Sequence, residues 1–398
     1  MAELRAMRVD AMSRLATYGD HKAKHPIRRG VAKVPLQKVE GAHWFGLFSS
    51  GVGFSSLEFF AGSGLVRLGL EPDFRTVWAN DLCAKKEAVY KANFNGDEFH
   101  SGRIEDVVGH SLPHADLAWA SFPCQDLSLA GNLTGIREGT RSGLFWQWLR
   151  VLDEMQGAGK RIPLLVAENV VGFVVAHDGR HFKRAYQALR ERGYRAGALI
   201  MDARQFLPQS RPRAFLIAVS EEMELGGLQR ESPVGPFHTE GLIRSAKKLR
   251  DPEWVWWDVP APSGRRQIFA DICDRDALCD TPNKTRELRD MLSPINRRKL
   301  KEAINSGKFL AGTGYRRTRP DENGSPVQRL ELRFDGVAGC LRTPEGGSSR
   351  QLVMLVDKGK VRTRLMTVRE CARLMGAPDT FRIPGSYNDG YRAMGDAV

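Results

Sequence analysis

Cysteine is scarce and scattered in this chain: its six residues, Cys83, Cys124, Cys273, Cys279, Cys340 and Cys371, include no CxxC pair and have no His-rich companion segment. That spacing argues against a disulfide framework and structural zinc, so no metal is expected and the compartment should be reducing. An apolar run of membrane-spanning length and a secretory leader are also lacking, which predicts a soluble, cytoplasmic protein without a membrane partner. Internal repeats and long low-complexity tracts are absent. Acidic side chains are in deficit, 47 Asp and Glu against 60 Lys and Arg, which leaves a formal charge of +13. Such a field attracts phosphate and points to a polyanionic partner without separating DNA from RNA. At 398 residues the chain can bury a large core and form two domains.

What is present, from Ser56 onward, is an alternation of strands, turns and helices. Leu57-Glu58-Phe59-Phe60 reads as a strand, Ala61-Gly62-Ser63-Gly64 as a sharp turn and Leu65–Leu70 as a helix; a second strand, Thr76-Val77-Trp78-Ala79, ends at Asn80-Asp81. Asp116–Ser121, Leu164–Ala167, Ala198–Met201 and Ala214–Val219 read as further strands. This rhythm predicts an α/β fold with a doubly wound, mostly parallel sheet. After Val219 it stops. Residues 220 to 337 carry Pro and Gly breaks, the basic runs Arg297-Arg298-Lys299 and Arg316-Arg317-Thr318-Arg319, and the cluster Trp254-Val255-Trp256-Trp257, read as core rather than as a base-stacking surface. We read that stretch as a second, smaller domain. Residues 1–44, with Arg8, Arg14, Lys22, Lys24, Arg28 and Arg29, read as a basic arm with one helix near Leu4–Leu15.

Three strands run into polar tips: Pro123-Cys124-Gln125, Glu168-Asn169-Val170 and, through a turn, Gln209-Ser210-Arg211-Pro212-Arg213. Ligand sites in open α/β sheets lie at such strand ends. A lone buried cysteine is usually an inert small hydrophobe, but here a nucleophile, a carboxyl and a fixed guanidinium arrive together. The turn Phe60-Ala61-Gly62-Ser63-Gly64 lets a ligand approach the backbone, a device that nicotinamide and flavin proteins share. Asp81 is placed either to accept from ribose hydroxyls or to cap a helix. Leu65-Val66-Arg67 departs from the full Gly-x-Gly-x-x-Gly pattern, so the pocket suits a nucleoside without phosphates.

In this order the three tips resemble the DNA cytosine-C5 methyltransferase family, which reads Pro-Cys-Gln, Glu-Asn-Val and Gln-x-Arg-x-Arg. The resemblance runs from about Leu57 to Val398. Arg364–Phe381 is similar to the family's ninth motif, with Thr367 and Glu370 expected as a capping box, and Gly395-Asp396-Ala397-Val398 to its last one. The resemblance implies the S-adenosylmethionine-dependent methyltransferase fold with a smaller DNA-recognition domain. It divides the chain into an arm (1–44), a catalytic and cofactor-binding domain (45–219, completed by 385–398) and a recognition domain (220–384). It implies S-adenosyl-L-methionine as cofactor, held by Phe60, Gly62, Gly64, Leu65, Asp81, Pro123, Leu144, Asp396, Ala397 and Val398. Double-stranded DNA is the implied partner, a cognate restriction endonuclease is the protein partner the family allows, and a monomer is expected.

Two departures bear on the cofactor. Arg103 stands where the family has an acidic residue near adenine, with Glu105 and Asp106 as substitutes. Asp396 replaces a common Asn, and its carboxylate should repel the cofactor's own unless an adjacent Arg or Lys offsets it.

The implied chemistry follows from C5 of cytosine being a poor nucleophile. A thiolate from Cys124, whose ordinary pKa of ~8.5 calls for local help, adds at C6 and makes C5 nucleophilic. Protonated Glu168 donates to N3 and accepts from the exocyclic amine, Arg213 fixes O2, and Asn169 and Arg211 position the nucleophile loop. A bound water is the expected base for the C5 proton. The base must leave the stack, and Ser128–Ser142 could close over it. RNA methylation is the nearest alternative, with the length of 220–337 favouring DNA. A catalytically dead binding module conflicts with intact Cys124, Glu168 and Arg213, and a nicotinamide oxidoreductase has no use for Pro-Cys-Gln.

Overall fold

The computed structural model describes residues 53–123, 143–343 and 350–397. Seven strands make one sheet: β1 (Phe54–Phe59), β2 (Phe74–Asp81), β3 (Phe99–Ser101), β4 (Leu117–Ser121), β5 (Leu164–Val170), β6 (Tyr194–Asp202) and β7 (Pro212–Ser220), in the order β3-β2-β1-β4-β5-β7-β6. The pairs among β1 to β5 are parallel. The expected α/β, mostly parallel sheet is therefore present. β7 alone is reversed, running antiparallel to both β5 and β6, a feature that residue alternation does not encode because it reads the same in either direction.

The helices α1 (Leu65–Leu70), α2 (Ala84–Asn93), α3 (Leu144–Gly157), α4 (Gly172–Val175) and α5 (Arg180–Arg190) accompany the strands. In α3, Trp148, Val151, Leu152 and Met155 recur at helical spacing and are buried with Phe182, Tyr186 and Leu189 of α5 against Leu57, Phe59, Ala118 and Leu165 of the sheet. Each such large apolar side chain contributes roughly 1.5–3 kcal/mol on burial.

The alternation ends where expected, but the next residues remain with the large sheet. The helix α6 (Glu240–Leu249) packs on α4, α5 and β6. Two short strands, β8 (Gln229–Arg230) and β9 (Trp256–Trp257), pair beside it. Val255 donates its amide to the Ala196 carbonyl at 3.0 Å, covering the open edge of β6, where an unpaired row of amides would otherwise invite another strand. Gly197 is required there because a Cβ would collide with the Val255 carbonyl. Trp257 is buried with Leu199 and Val219, and Trp254 packs on Phe182 and Tyr186. The tryptophan cluster is thus core, belonging to the sheet rather than to the second domain.

A second, four-stranded antiparallel sheet, in the order β11-β10-β12-β13, contains β10 (Leu310–Pro320), β11 (Pro326–Arg333), β12 (Leu352–Asp357) and β13 (Lys360–Leu365). The helices α7 (Phe269–Ile272), α8 (Pro282–Asp290) and α9 (Pro294–Asn305) lie against it. Two closing helices, α10 (Val368–Leu374) and α11 (Tyr387–Asp396), return to the large sheet. One continuous core joins the two parts: Leu65 and Val89 of α1 and α2 share it with Phe269, Ala311, Val353, Cys371 and Tyr391. Thr367 and Glu370 do form the capping box of α10, and Glu370 also forms a fully buried ion pair with Arg364 at 2.6 Å.

Among the described residues no helix is long and apolar enough to cross a membrane, and no cluster of three His, Cys, Asp or Glu could hold a metal ion. The N-terminal arm, Cys124, the Ser128–Ser142 stretch and Val398 lie outside the described residues.

Candidate active site

The reversal of β7 brings two of the three polar tips together. Arg213, near the start of β7, pairs in register with Val170 near the end of β5, while Glu168 on β5 lies opposite Ser121 on β4. Glu168 and Asn169 therefore sit inside the last turns of a strand rather than beyond it. Glu168 is 4 % exposed, and the Nε of Arg213 lies 3.0 Å from its Oε1. Burial pushes the Glu168 carboxyl above the ordinary carboxylate range, outweighing the pull of Arg213 and Arg211 and hydrogen bonding from Ser121 and Arg213. Trp119 in turn donates its indole N–H to the Ser121 hydroxyl at 2.9 Å. A carboxyl so held keeps its proton at a pH where an exposed one has lost it.

Asn169 donates its side-chain amide to the Phe122 carbonyl at 2.9 Å. This clamps the chain two residues ahead of Cys124, next to the exposed Pro123. Arg211 points elsewhere. It is 4 % exposed and donates to the carbonyls of Leu341 at 3.2 Å, Gly395 at 3.1 Å and Ala397. Its guanidinium ties the start of β7 to the end of α11. Gln209, fully buried, does the same for α10, donating to the Leu374 carbonyl at 2.9 Å and accepting from the Leu341 amide at 3.2 Å.

The glycine turn after β1 is sharply wound. Phe60, Gly62 and Gly64 all have positive φ, 57°, 58° and 79°. At Gly64 a Cβ would come within 2.5 Å of the Phe94 ring and 2.8 Å of Tyr90, so only glycine fits. Asp81 ends β2, and its carboxylate ties two neighbouring segments: one oxygen accepts from the Cys83 amide just before α2, the other from the Gly62 amide, each at 2.8 Å. The Leu65 side chain enters the shared core, leaving its backbone at the turn. Leu144 is half-buried at the first turn of α3. Arg103 is exposed and its charge is met by Glu105, two residues on, at 2.8 Å.

Three residues escaped the sequence. Lys86, on the first turn of α2, makes an ion pair with Asp396 at 2.8 Å, supplying the offset that Asp396 required. Burial opposes its charge, but Asp396 and Asp81 outweigh burial and hold the ammonium more firmly protonated than an ordinary lysine. Thr343 donates its hydroxyl to the same Asp396 carboxylate. Glu58, on β1 just before the glycine turn, is 1 % exposed and, among the described residues, no donor reaches hydrogen-bond geometry with either carboxylate oxygen; burial drives its pKa up to about 8 against the pull of the Arg67 guanidinium and backbone amide. The partners of Lys86 and Thr343 lie far away in sequence, and Glu58 is distinguished by its burial, so no local signal marks them.

Residues 54–398 match the family model described as C-5 cytosine-specific DNA methylase. The chain belongs to that family. Among curated relatives, the methylase is 31 % identical to the type II methyltransferase M.Bsp6I of Bacillus sp. (strain RFL6), covering 82 % of this chain and 88 % of that one. It is 25 % identical to M.HhaI of Haemophilus parahaemolyticus, covering 87 % and 90 %. Among solved structures, the DNMT2 mutant of Spodoptera frugiperda superposes with a TM-score of 0.56 at 16 % identity, covering 87 % of this chain and 96 % of that one. Dnmt2 of S. pombe gives 0.53 at 16 %, covering 87 % and 94 %. These two likenesses concern the fold. The methylase is thus a DNA cytosine-5-methyltransferase by family, with the large sheet and the additional sheet of that architecture.

Proposed function

We propose that this methylase transfers a methyl group from S-adenosylmethionine to C5 of a cytosine flipped out of double-stranded DNA, through a covalent bond between Cys124 and C6. The observation that carries the reading is the buried Glu168, held by Arg213 at 3.0 Å and pushed towards its protonated form, beside the Asn169 clamp on the segment that leads into Cys124. In the proposed sequence the Cys124 thiolate adds to C6 while Glu168 gives a proton to N3 and Arg213 holds O2, which stabilises the charge that the addition moves into the ring. Once C5 has taken the methyl group, its proton leaves to water, the N3 proton returns to Glu168 and the thiolate is eliminated.

The glycine turn fits the cofactor. The space at Gly62 is open, its nearest side chain being Lys86 at 3.9 Å, and Asp81 lies beside it as a carboxylate acceptor for ribose hydroxyls. S-adenosylmethionine supplies the electrophilic methyl group when bound. Phe60, Gly62, Gly64, Leu65, Asp81, Pro123, Leu144, Asp396, Ala397 and Val398 are the proposed contacts, with Glu105 replacing the acidic group missing at Arg103. We assign DNA reading to the second sheet and its helices. On β10, Arg317 and Arg319 are both paired with Glu331, which leaves Arg316 and the α9 run Arg297-Arg298-Lys299 as the stronger phosphate candidates. A monomer acting in the cytoplasm, beside a cognate endonuclease where one is encoded, completes the reading.

DNA carrying 5-fluorocytosine tests it, since fluorine at C5 cannot leave as a proton. In the presence of S-adenosylmethionine, a denaturing gel is expected to reveal a shifted protein–DNA band that Cys124→Ser abolishes while DNA binding persists. A shifted band with Cys124→Ser, or none with enzyme that methylates the same site, would refute the covalent route.

A further inference from the structure

The Lys86–Asp396 pair lies inside the cradle rather than on the outside of the fold. Lys86 is the third residue of α2 and Asp396 the last of α11, and their side chains are only 19 % and 25 % exposed. The Lys86 stem passes over the glycine turn: from the position of a Gly62 Cβ, its Cδ is 3.9 Å away and, among the described residues beyond the turn's own neighbours, the other atom within 4 Å is the Phe60 carbonyl oxygen at 4.0 Å. Asp396 is aimed by a second donor, the Thr343 hydroxyl, from a separate segment. Bracing the two helices does not call for this pair. Lys85 already joins α2 to Asp389 of α11 at 2.6 Å on the exposed side, and Ser63 donates to the Ala393 carbonyl at 3.4 Å.

We propose that Lys86 and Asp396 form a seat for the zwitterionic end of the methionyl group, Lys86 taking its α-carboxylate and Asp396 its α-ammonium. This deepens, and rests on, the reading that the methylase uses S-adenosylmethionine. The argument is one of complementary charge. An isolated carboxylate at 396 would meet a like charge, whereas a neutral pair exchanges its own partners for the two charges of the ligand without leaving a net charge desolvated. Where the family commonly places one neutral amide, this chain places an acid and, 310 positions earlier, the lysine that balances it.

Calorimetric titration of the full chain with S-adenosylhomocysteine and with 5′-methylthioadenosine, which lacks the amino-acid end, separates the outcomes. Lys86→Met is expected to weaken S-adenosylhomocysteine binding on the order of 10- to 100-fold, the loss of one charge-assisted contact, while 5′-methylthioadenosine, followed by competition, stays within about twofold. Lys86→Arg, which keeps the cation, should retain most of the affinity. Asp396→Asn should also weaken the first ligand selectively, and matched thermal melts of each variant identify any that fails to fold. Unchanged S-adenosylhomocysteine affinity in Lys86→Met, or an equal loss for both ligands, would overturn the inference alone. Failure of the unsubstituted chain to bind S-adenosylhomocysteine would overturn the cofactor reading, and the seat with it.

Discussion

Glu58→Gln isolates the cost of a buried carboxyl beside the glycine turn. Burial dominates the displacement of this group from its ordinary value of 4.5 to about 8, the Arg67 guanidinium opposing it and Asp81 and Glu71 reinforcing it. The folded form therefore holds a proton that the unfolded chain releases above 4.5. Stability that is fully present below 4.5 is lost as pH rises towards 8, because the unfolded state alone gains from ionising. Each pH unit in that interval is worth ~1.4 kcal/mol, so the crossing costs ~5 kcal/mol, about half of it by pH 6.3. Glutamine has no proton to lose. Urea unfolding of both proteins at several pH values from 5 to 8.5 gives the comparison, and the difference between them cancels every other titrating group. The glutamine variant should gain on the parent by roughly 3–5 kcal/mol across the range, whatever the offset at pH 5 from burying an amide. Parallel stability profiles would refute a protonated Glu58.

Glu168→Gln keeps the shape but removes the proton donor, so methyl transfer should fall on the order of 10²- to 10⁴-fold with DNA affinity nearly unchanged. In single-turnover measurements the parent should lose rate at alkaline pH as Glu168 ionises, the limb lying higher than an ordinary carboxyl would place it; a glutamine variant that retains this limb would remove Glu168 from the role. Glu370→Ala leaves Arg364, 3 % exposed, unpaired and should destabilise the chain by ~3–5 kcal/mol, with Arg364→Met in the same chain recovering part of the loss in a urea titration. Burial opposes the charge of Glu370, but the Arg364 guanidinium together with the Thr367 and Asp274 amides holds its carboxyl below the ordinary value of 4.5, so this contribution is present above pH 4.5 and fades as the pH falls further.

Two of the strand ends are legible because each is a local pattern, an apolar run with polar residues at one end: Glu168 and Asn169 close β5 and Arg213 opens β7, while Cys124 lies outside the described residues. The capping box at Thr367 and Glu370 and the glycine turn were legible for the same reason. The direction of β7 was not, since alternation is blind to polarity, although that reversal is what carries Arg213 to Glu168. Val255–Trp257 was misassigned because its aromatic richness says only that it is buried, whereas its place on β6 depends on the bare backbone of Gly197. In the sequence Lys86 is one of two adjacent lysines on a basic chain, with nothing to set it apart. Only the fold sets it against Asp396.

The ties that close the cradle have a bearing on timing. Ser63 and Ala393 are 330 residues apart, and Arg211 reaches 184 residues ahead to Gly395. Synthesis delivers the glycine turn and the three strand tips long before the helix that seals them, and contacts of such separation are slow to form. A growing chain can thus assemble its sheet, and even approach nucleic acid through its charge, while the pocket beside Gly62 is still open on one side. The cradle beside Gly62 is therefore completed only when α11 docks.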